Sequence, residues 1–279
     1  MAVFTRRELV STFAGLAARG ALRADDAKAL VSGVDHLKLR VANSGASMMF
    51  YYGLFGGEII AAHNSTLPDT PLVNEFFLKI GAPRFPYLVF AQVRADELPG
   101  LDHISFLVSD SVAIRSSLEH HGVPLIEPGQ WFRDADSTLV ELMPSPTFGI
   151  QAQSIRLALP MNLRGLRPAF DAAAVTRFCL RSHDVARSVD FLRKVFAKPS
   201  ISALANGAQA FLFGHTVLEI RPIAGMQNPG LERIGVGIHG VTLKQARRIL
   251  EQRGIQPHGS KDEVLFRDPD GNELQLIAL

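Results

Sequence analysis

An eight-residue phrase occurs twice in this chain, as Val34-Asp35-His36-Leu37-Lys38-Leu39-Arg40-Val41 and as Leu101-Asp102-His103-Ile104-Ser105-Phe106-Leu107-Val108. Each copy alternates with a period of two, the signature of a strand with one face buried. His36, Lys38 and Arg40 therefore share one face, and Leu37, Leu39 and Val41 the other. His103 repeats the position of His36. Internal self-similarity of this kind means duplicated supersecondary units, because one unit alone cannot bury its apolar face.

The repeat extends over most of the chain. After His36, Ser47 to Phe55 has helical spacing and a glycine stop at Gly56. Strand-like runs follow at Gly57 to His63, Phe76 to Ile80 and Tyr87 to Val93, giving one strand-helix-strand-strand-strand module. A second module starts at Leu101, with a helix from Ser111 to His121 and a closing strand from Thr138 to Met143. A third begins at Val175, and its Ser188 lies eleven residues beyond Arg177 as Ser47 lies eleven beyond His36 (188 − 177 and 47 − 36). A fourth runs from Glu232 through a helix at Lys244 to Arg253, then Phe266 to Leu276. Residues 30–145 and 171–279 read as two domains of two modules each. The proline-bearing stretch 146–170 reads as their linker, with room for a strand at Ser154 to Leu159.

The run Leu139-Val140-Glu141-Leu142 places a carboxylate between apolar neighbours, where it is costly to bury unless paired, protonated or metal-bound. Two imidazoles and this carboxylate make the facial set that holds Fe(II) or a similar divalent ion and leaves positions open for a substrate. His36, His103 and Glu141 are thus the candidate metal ligands; the alternative is a binding pocket with a polar network in place of an ion. Ligation needs neutral imidazoles, so affinity should weaken in acid. In the second half the three positions hold Arg177, Arg233 and Gln275, and a guanidinium has no free lone pair to offer. That half is expected to be a metal-free structural or interface domain.

Lys38 and Arg40 follow His36 on the same face. Two cations in a small pocket point to an anionic or enolate-forming substrate, or else Arg40 pairs with an acid on a neighbouring strand while Lys38 reaches solvent. Tyr51, Phe50 and Phe55 read as helix packing, and Cys179 as an inert core thiol.

The chain has 279 residues, 47% hydrophobic and 20% charged, with 29 basic and 27 acidic residues, a balance that gives nucleic acid no foothold. A single cysteine rules out an internal disulfide or a multi-cysteine metal site. No later segment has the roughly 20 apolar residues that cross a bilayer. Residues 1–25, with Arg6-Arg7 ahead of an apolar stretch, resemble a twin-arginine export signal, which would place the protein in the periplasm. Read instead as an amphipathic first helix, the segment leaves it cytoplasmic.

The Asp-His strand openings, Phe50-Tyr51 ahead of Leu54-Phe55-Gly56, and Arg267-Asp268-Pro269-Asp270-Gly271, degraded to Arg133-Asp134-Ala135-Asp136-Ser137, resemble the vicinal oxygen chelate superfamily of glyoxalases, extradiol dioxygenases and bleomycin-binding proteins. The resemblance spans residues 34 to 279. It implies an α+β fold of four βαβββ modules, paired into two glyoxalase-like domains with cupped mixed sheets. It implies a metal-dependent enzyme acting on a small oxygen-chelating molecule, with Fe(II) favoured and Mn(II), Zn(II) or Ni(II) as alternatives, and it allows a homodimer. Glyoxalase-like sites take a fourth ligand, a carboxylate from the last strand of the first module, and Tyr87 to Val93 has none. The three-ligand set therefore resembles the extradiol dioxygenases, although those place the metal in the second pair of modules. Their tyrosine three residues before the Asp-Pro motif is Trp131 here, which makes Trp131 with Lys38 and Arg40 the candidate substrate contacts. His63 is the nearest replacement acid–base group, or else a solvent-exposed loop histidine. The alternatives are a glyoxalase-type isomerase or lyase and a non-catalytic small-molecule binder.

Overall fold

The computed structural model describes residues 30–64, 73–81, 86–126, 129–144, 165–197, 202–204, 207–225 and 227–279. The twin-arginine segment and the strand expected at 154–159 lie outside them, as does the side chain of His63. No helix among the described residues is long and apolar enough to cross a membrane.

Two seven-stranded sheets carry the fold, and the elements appear in the order expected. The first sheet is built from β1 (Val31–Val41), β2 (Glu58–Asn64), β3 (Val73–Lys79), β4 (Tyr87–Gln92), β5 (Gly100–Val108), β6 (Trp131–Arg133) and β7 (Leu139–Pro144), in the order β2-β3-β4-β1-β5-β7-β6. The second uses β8 (Asp171–Ser182), β9 (Ser202–Ala203), β10 (Gln209–Phe213), β11 (Thr216–Pro222), β12 (Gly230–His239), β13 (Val264–Arg267) and β14 (Glu273–Ala278), ordered β13-β14-β12-β8-β11-β10-β9. The parallel pairs β1/β4 and β5/β7, with antiparallel β3/β4 and β6/β7, make the first sheet mixed. Modules two and four have an isolated bridge, at Ile126 and His258, where modules one and three have a third strand after the helix.

One helix follows the opening strand of each module: α1 (Ser44–Phe55), α2 (Ser111–His120), α3 (Val185–Val195) and α4 (Leu243–Gln252). Their starts are set by the side chains of Asn43, Asp110, Asp184 and Thr242, which accept backbone N–H groups of the first turn. Gly56 ends α1 at φ 63°, a conformation that costs a glycine little.

By compactness the chain divides into two units, one holding modules two and three, the other modules one and four. In the first, Phe106, Phe132, Phe196 and Phe213 are fully buried against one another. In the second, Tyr51 packs on Phe90 and Phe55, and Phe55 on Phe170. Gly81 bridges to Ala174 there at φ +78°, and any Cβ would meet the Ala173 carbonyl at 1.8 Å.

The aspartate turns give the repeated serines their purpose. In modules one and four, Asp270 accepts the Ala42 N–H at 2.7 Å and the Ser47 hydroxyl at 2.7 Å. In modules two and three, Asp136 accepts the His183 N–H at 3.1 Å and the Ser188 hydroxyl at 2.5 Å. Each turn thus clasps the first turn of a helix from another module. The degraded motif keeps this role, because the clasp needs the second aspartate and not the proline or glycine. Tyr51 does more than pack: its hydroxyl donates to Asp268 at 3.0 Å. Fifteen residues beyond Arg177, as Tyr51 is beyond His36, stands Leu192, so the partner turn has no phenol for Asp134.

Burial pushes the Asp134 carboxyl up to about 6, against the pull of the Thr138 and Asp136 N–H groups. A carboxyl raised on folding stabilises fully below its ordinary 3.8, and that contribution fades as pH rises through about 6. Asp134→Asn keeps an acceptor oxygen and cannot ionise. Thermal unfolding of chelator-treated protein between pH 4 and 8 should show the variant gaining on the parent as pH rises from 4 to about 6 and levelling off above it; a constant difference throughout would contradict this.

Candidate metal centre

Strand alternation and register decide which side chains share the face of His36. On β1 they are His36, Lys38 and Arg40, while Leu37, Leu39 and Val41 are fully buried behind them. Register pairs His36, Lys38 and Arg40 with Tyr87, Val89 and Ala91 of β4, and those in turn with Lys79, Phe77 and Glu75 of β3. On β7, Glu141 lies opposite Ser105 of β5, two residues after His103, and opposite Trp131 of β6. Paired residues point to the same side of a sheet.

The three expected ligands come together on this face. His36, His103 and Glu141 each offer a ligand atom, and all of these lie within 4.8 Å of one another. His103 Nε2 is 3.5 Å from Glu141 Oε2. Donor atoms on one ion at ordinary bond lengths of about 2.1 Å sit roughly 3 Å apart, so small side-chain rotations close the set. His36 is 6% exposed and His103 3%, a depth at which imidazole and carboxylate lose water and gain most from an ion. The donor chemistry fits a borderline divalent metal with open positions. Aromatic rings wall the site: Tyr87 stacks on His36, centroids 5.1 Å apart and planes 19° from parallel. Trp131 stands edge-on to His103 at 4.6 Å.

Of the residues expected to meet substrate, Trp131 lines the site and Lys38 and Arg40 share its face. Their surroundings reverse one expectation. Lys38 is the cation paired across the sheet, donating to Glu75 Oε1 at 2.6 Å with Asp102 at 3.9 Å, whereas Arg40 bonds to no described residue. Glu75 reaches Lys38 from two strands away, a neighbourhood set by the β3-β4-β1 pairing.

Tyr87 and Glu219 were not singled out from sequence. Tyr87 opens an apolar run, and only its register with His36 brings it to the site. Glu219 had a usable signal, since Val217-Leu218-Glu219-Ile220 repeats the isolated carboxylate of Leu139-Val140-Glu141-Leu142.

In the second sheet the corresponding positions are filled by ion pairs. Arg177 meets Glu219 at 2.8 Å, Arg221 meets the same carboxylate at 2.9 Å, and the buried Cys179 thiol donates to it at 3.3 Å. Arg233 binds Glu263 at 2.7 Å and Glu273 at 3.0 Å, and Gln275 donates to Glu263 at 3.2 Å. Burial alone would raise the Glu219 carboxyl, but Arg177 and Arg221 outweigh it and hold it below its ordinary range.

No protein-family model and no curated protein matches the chain. Solved structures do. A Mn(II)-bound glyoxalase from Novosphingobium aromaticivorans superposes with a TM-score of 0.62 at 17% identity, over 90% of this chain and 83% of that one. A catechol 2,3-dioxygenase gives 0.61 at 16% identity, over 90% and 89%. Homoprotocatechuate 2,3-dioxygenase from Arthrobacter globiformis gives 0.64 at 12%, over 89% and 80%. The fold is that of the vicinal oxygen chelate proteins. At these identities the likeness establishes the architecture alone and leaves the chemistry to the site.

Proposed function

We propose that this chain is a metal-dependent enzyme of extradiol dioxygenase type, holding a divalent ion, Fe(II) by preference, on His36, His103 and Glu141. The observation that carries the reading is the convergence of those donors within 4.8 Å on one sheet face. The ion would supply Lewis acidity, a template for two adjacent substrate oxygens and, as iron, the means to engage dioxygen. The rest falls to the protein. Tyr87 and Trp131 pack on the two imidazoles and hold them in orientation. Tyr87 also brings a phenol to the wall, the group the resemblance would have put at position 131, and a phenol can donate to or accept from a substrate oxygen. The face of β4 offers Tyr87, Val89 and Ala91, with no carboxylate to serve as a fourth ligand, which favours the three-ligand chemistry over the glyoxalase type.

The test is protein purified without chelators, analysed for metals, then reconstituted with Fe(II) and given catechol and air. About one ion per chain, oxygen uptake and the visible absorbance of a ring-cleavage product are expected. A chain that retains no divalent ion, and whose His36→Ala variant keeps its small-molecule affinity, is a binder and not this enzyme.

A further inference from the structure

Among the described residues, every cation on the His36 face except one is accounted for by the protein itself. Lys38 is held by Glu75 and Asp102, Lys79 lies 3.4 Å from Glu58, and Arg133 donates to the Ser137 carbonyl at 2.8 Å. Arg40 is half-buried, bonds to no described residue, and its Nε is buried with no hydrogen-bond partner. Both nearby carboxylates are spent on Lys38. Ala91, opposite Arg40 on β4, is too short to fill the space between Arg40 and Glu75.

The duplicated half supplies an internal control. Arg181 stands four residues beyond Arg177, as Arg40 stands four beyond His36, and Arg181 is tied down by Gln227 Oε1 at 3.3 Å and the Leu231 carbonyl at 3.2 Å. Arg181 Nε, like Arg40 Nε, is buried without a partner, but the terminal nitrogens of Arg181 are bonded in the sheet filled by ion pairs, whereas Arg40 bonds to no described residue in the sheet carrying the candidate metal ligands. A partly desolvated guanidinium without an acceptor is a standing cost, recovered when a carboxylate or similar anion arrives.

We infer that Arg40 is the specificity residue for an anionic group on the substrate, and that this group sits on a tail, away from the chelating oxygens. Four residues along a strand span about 13 Å. An anion attached directly beside the metal-bound oxygens falls short of Arg40, whereas one carried on a short chain reaches it as the guanidinium folds toward the site. This rests on the metal-chelate reading above and adds the substrate class: a vicinal-oxygen compound with a carboxylate-bearing side chain.

The experiment measures binding by calorimetry to Fe(II)-loaded protein under strict exclusion of oxygen. The probes are catechol, catechols bearing a carboxylate on a tail of one to three carbons, and the methyl esters of those acids. The acid of best-fitting length should bind about 10–100-fold tighter than its ester, the range of a charge-assisted pair, with the advantage shrinking as salt is raised. Arg40→Met keeps the aliphatic stem and should abolish the acid's advantage while leaving catechol and ester affinities in place; Arg40→Lys should keep part of it. Equal binding of acid and ester by the parent protein, or a loss of both together in Arg40→Met, overturns the role of Arg40 and leaves the chelate reading standing. Failure of every catechol, catechol itself included, to bind the metal-loaded protein overturns both.

Discussion

Replacing His36 by alanine should abolish divalent-ion binding at the candidate centre and with it the proposed ring-cleaving activity. A three-donor site has no spare ligand. Loss of an outer-shell partner alone typically costs about 10–100-fold in metal affinity, so loss of an inner ligand should exceed that and leave dialysed protein with well under one ion per chain. Glu141→Ala should do the same for a second reason, because it also removes the negative charge that offsets the cation. Both residues lie on a site face backed by an intact apolar face, so thermal stability of the metal-free forms should change little beside the loss of metal. Elemental analysis with a melting curve checks this. A His36→Ala chain that retained stoichiometric metal and oxygen uptake would place the ion elsewhere and remove the basis of the functional proposal.

The largest effect on stability is expected in the other sheet. Glu219, 2% exposed, answers two guanidiniums, and Arg177 is itself 6% exposed. Glu219→Ala leaves that buried charge without its carboxylate, a class of change that costs about 3–5 kcal/mol, a large share of the roughly 5–15 kcal/mol that holds a domain together. Most of that cost belongs to the stranded arginine, so Glu219→Ala combined with Arg177→Met should recover much of it. The pH dependence runs opposite to that of Asp134. A carboxyl held low in the folded state contributes fully above its ordinary 4.5, and the contribution is lost as pH falls through that value toward the folded one. Parent and variant should therefore converge in stability below pH 4.5 and stand furthest apart at neutral pH. Chemical denaturation at pH 7 and at pH 4 reads both, and an equal gap at the two values would show that the carboxylate is not the source.

The α+β architecture and the grouping of His36, His103 and Glu141 were legible in the sequence because both rest on local periodicity and repetition. Alternation by two fixes which face a residue takes once the strand is recognised. A duplicated phrase fixes which strands are equivalent, so His36 and His103 could be matched, and an isolated carboxylate in an apolar run had to be compensated by something. The equivalence of Arg177, Arg233 and Gln275 to the three ligand positions was read the same way, and the structure engages them with Glu219, Glu263 and Glu273. Glu219 was missed although the criterion that found Glu141 applies to it unchanged.

What the chain could not state locally is which strand lies beside which, and at what register. Tyr87 reaches His36, and Glu75 reaches Lys38 in preference to Arg40, only because β3, β4 and β1 pair as they do, across connections whose length the residues on either side do not encode. Asp270 finds Ser47, 223 positions earlier, only when modules one and four share a core. Sequence alone determined which residue types share a face, since periodicity is a property of the strand itself. Tertiary structure decided the partners: which cation on the face is paired and which is not depends on distances between strands remote in the chain, and electrostatic energy falls off with those distances.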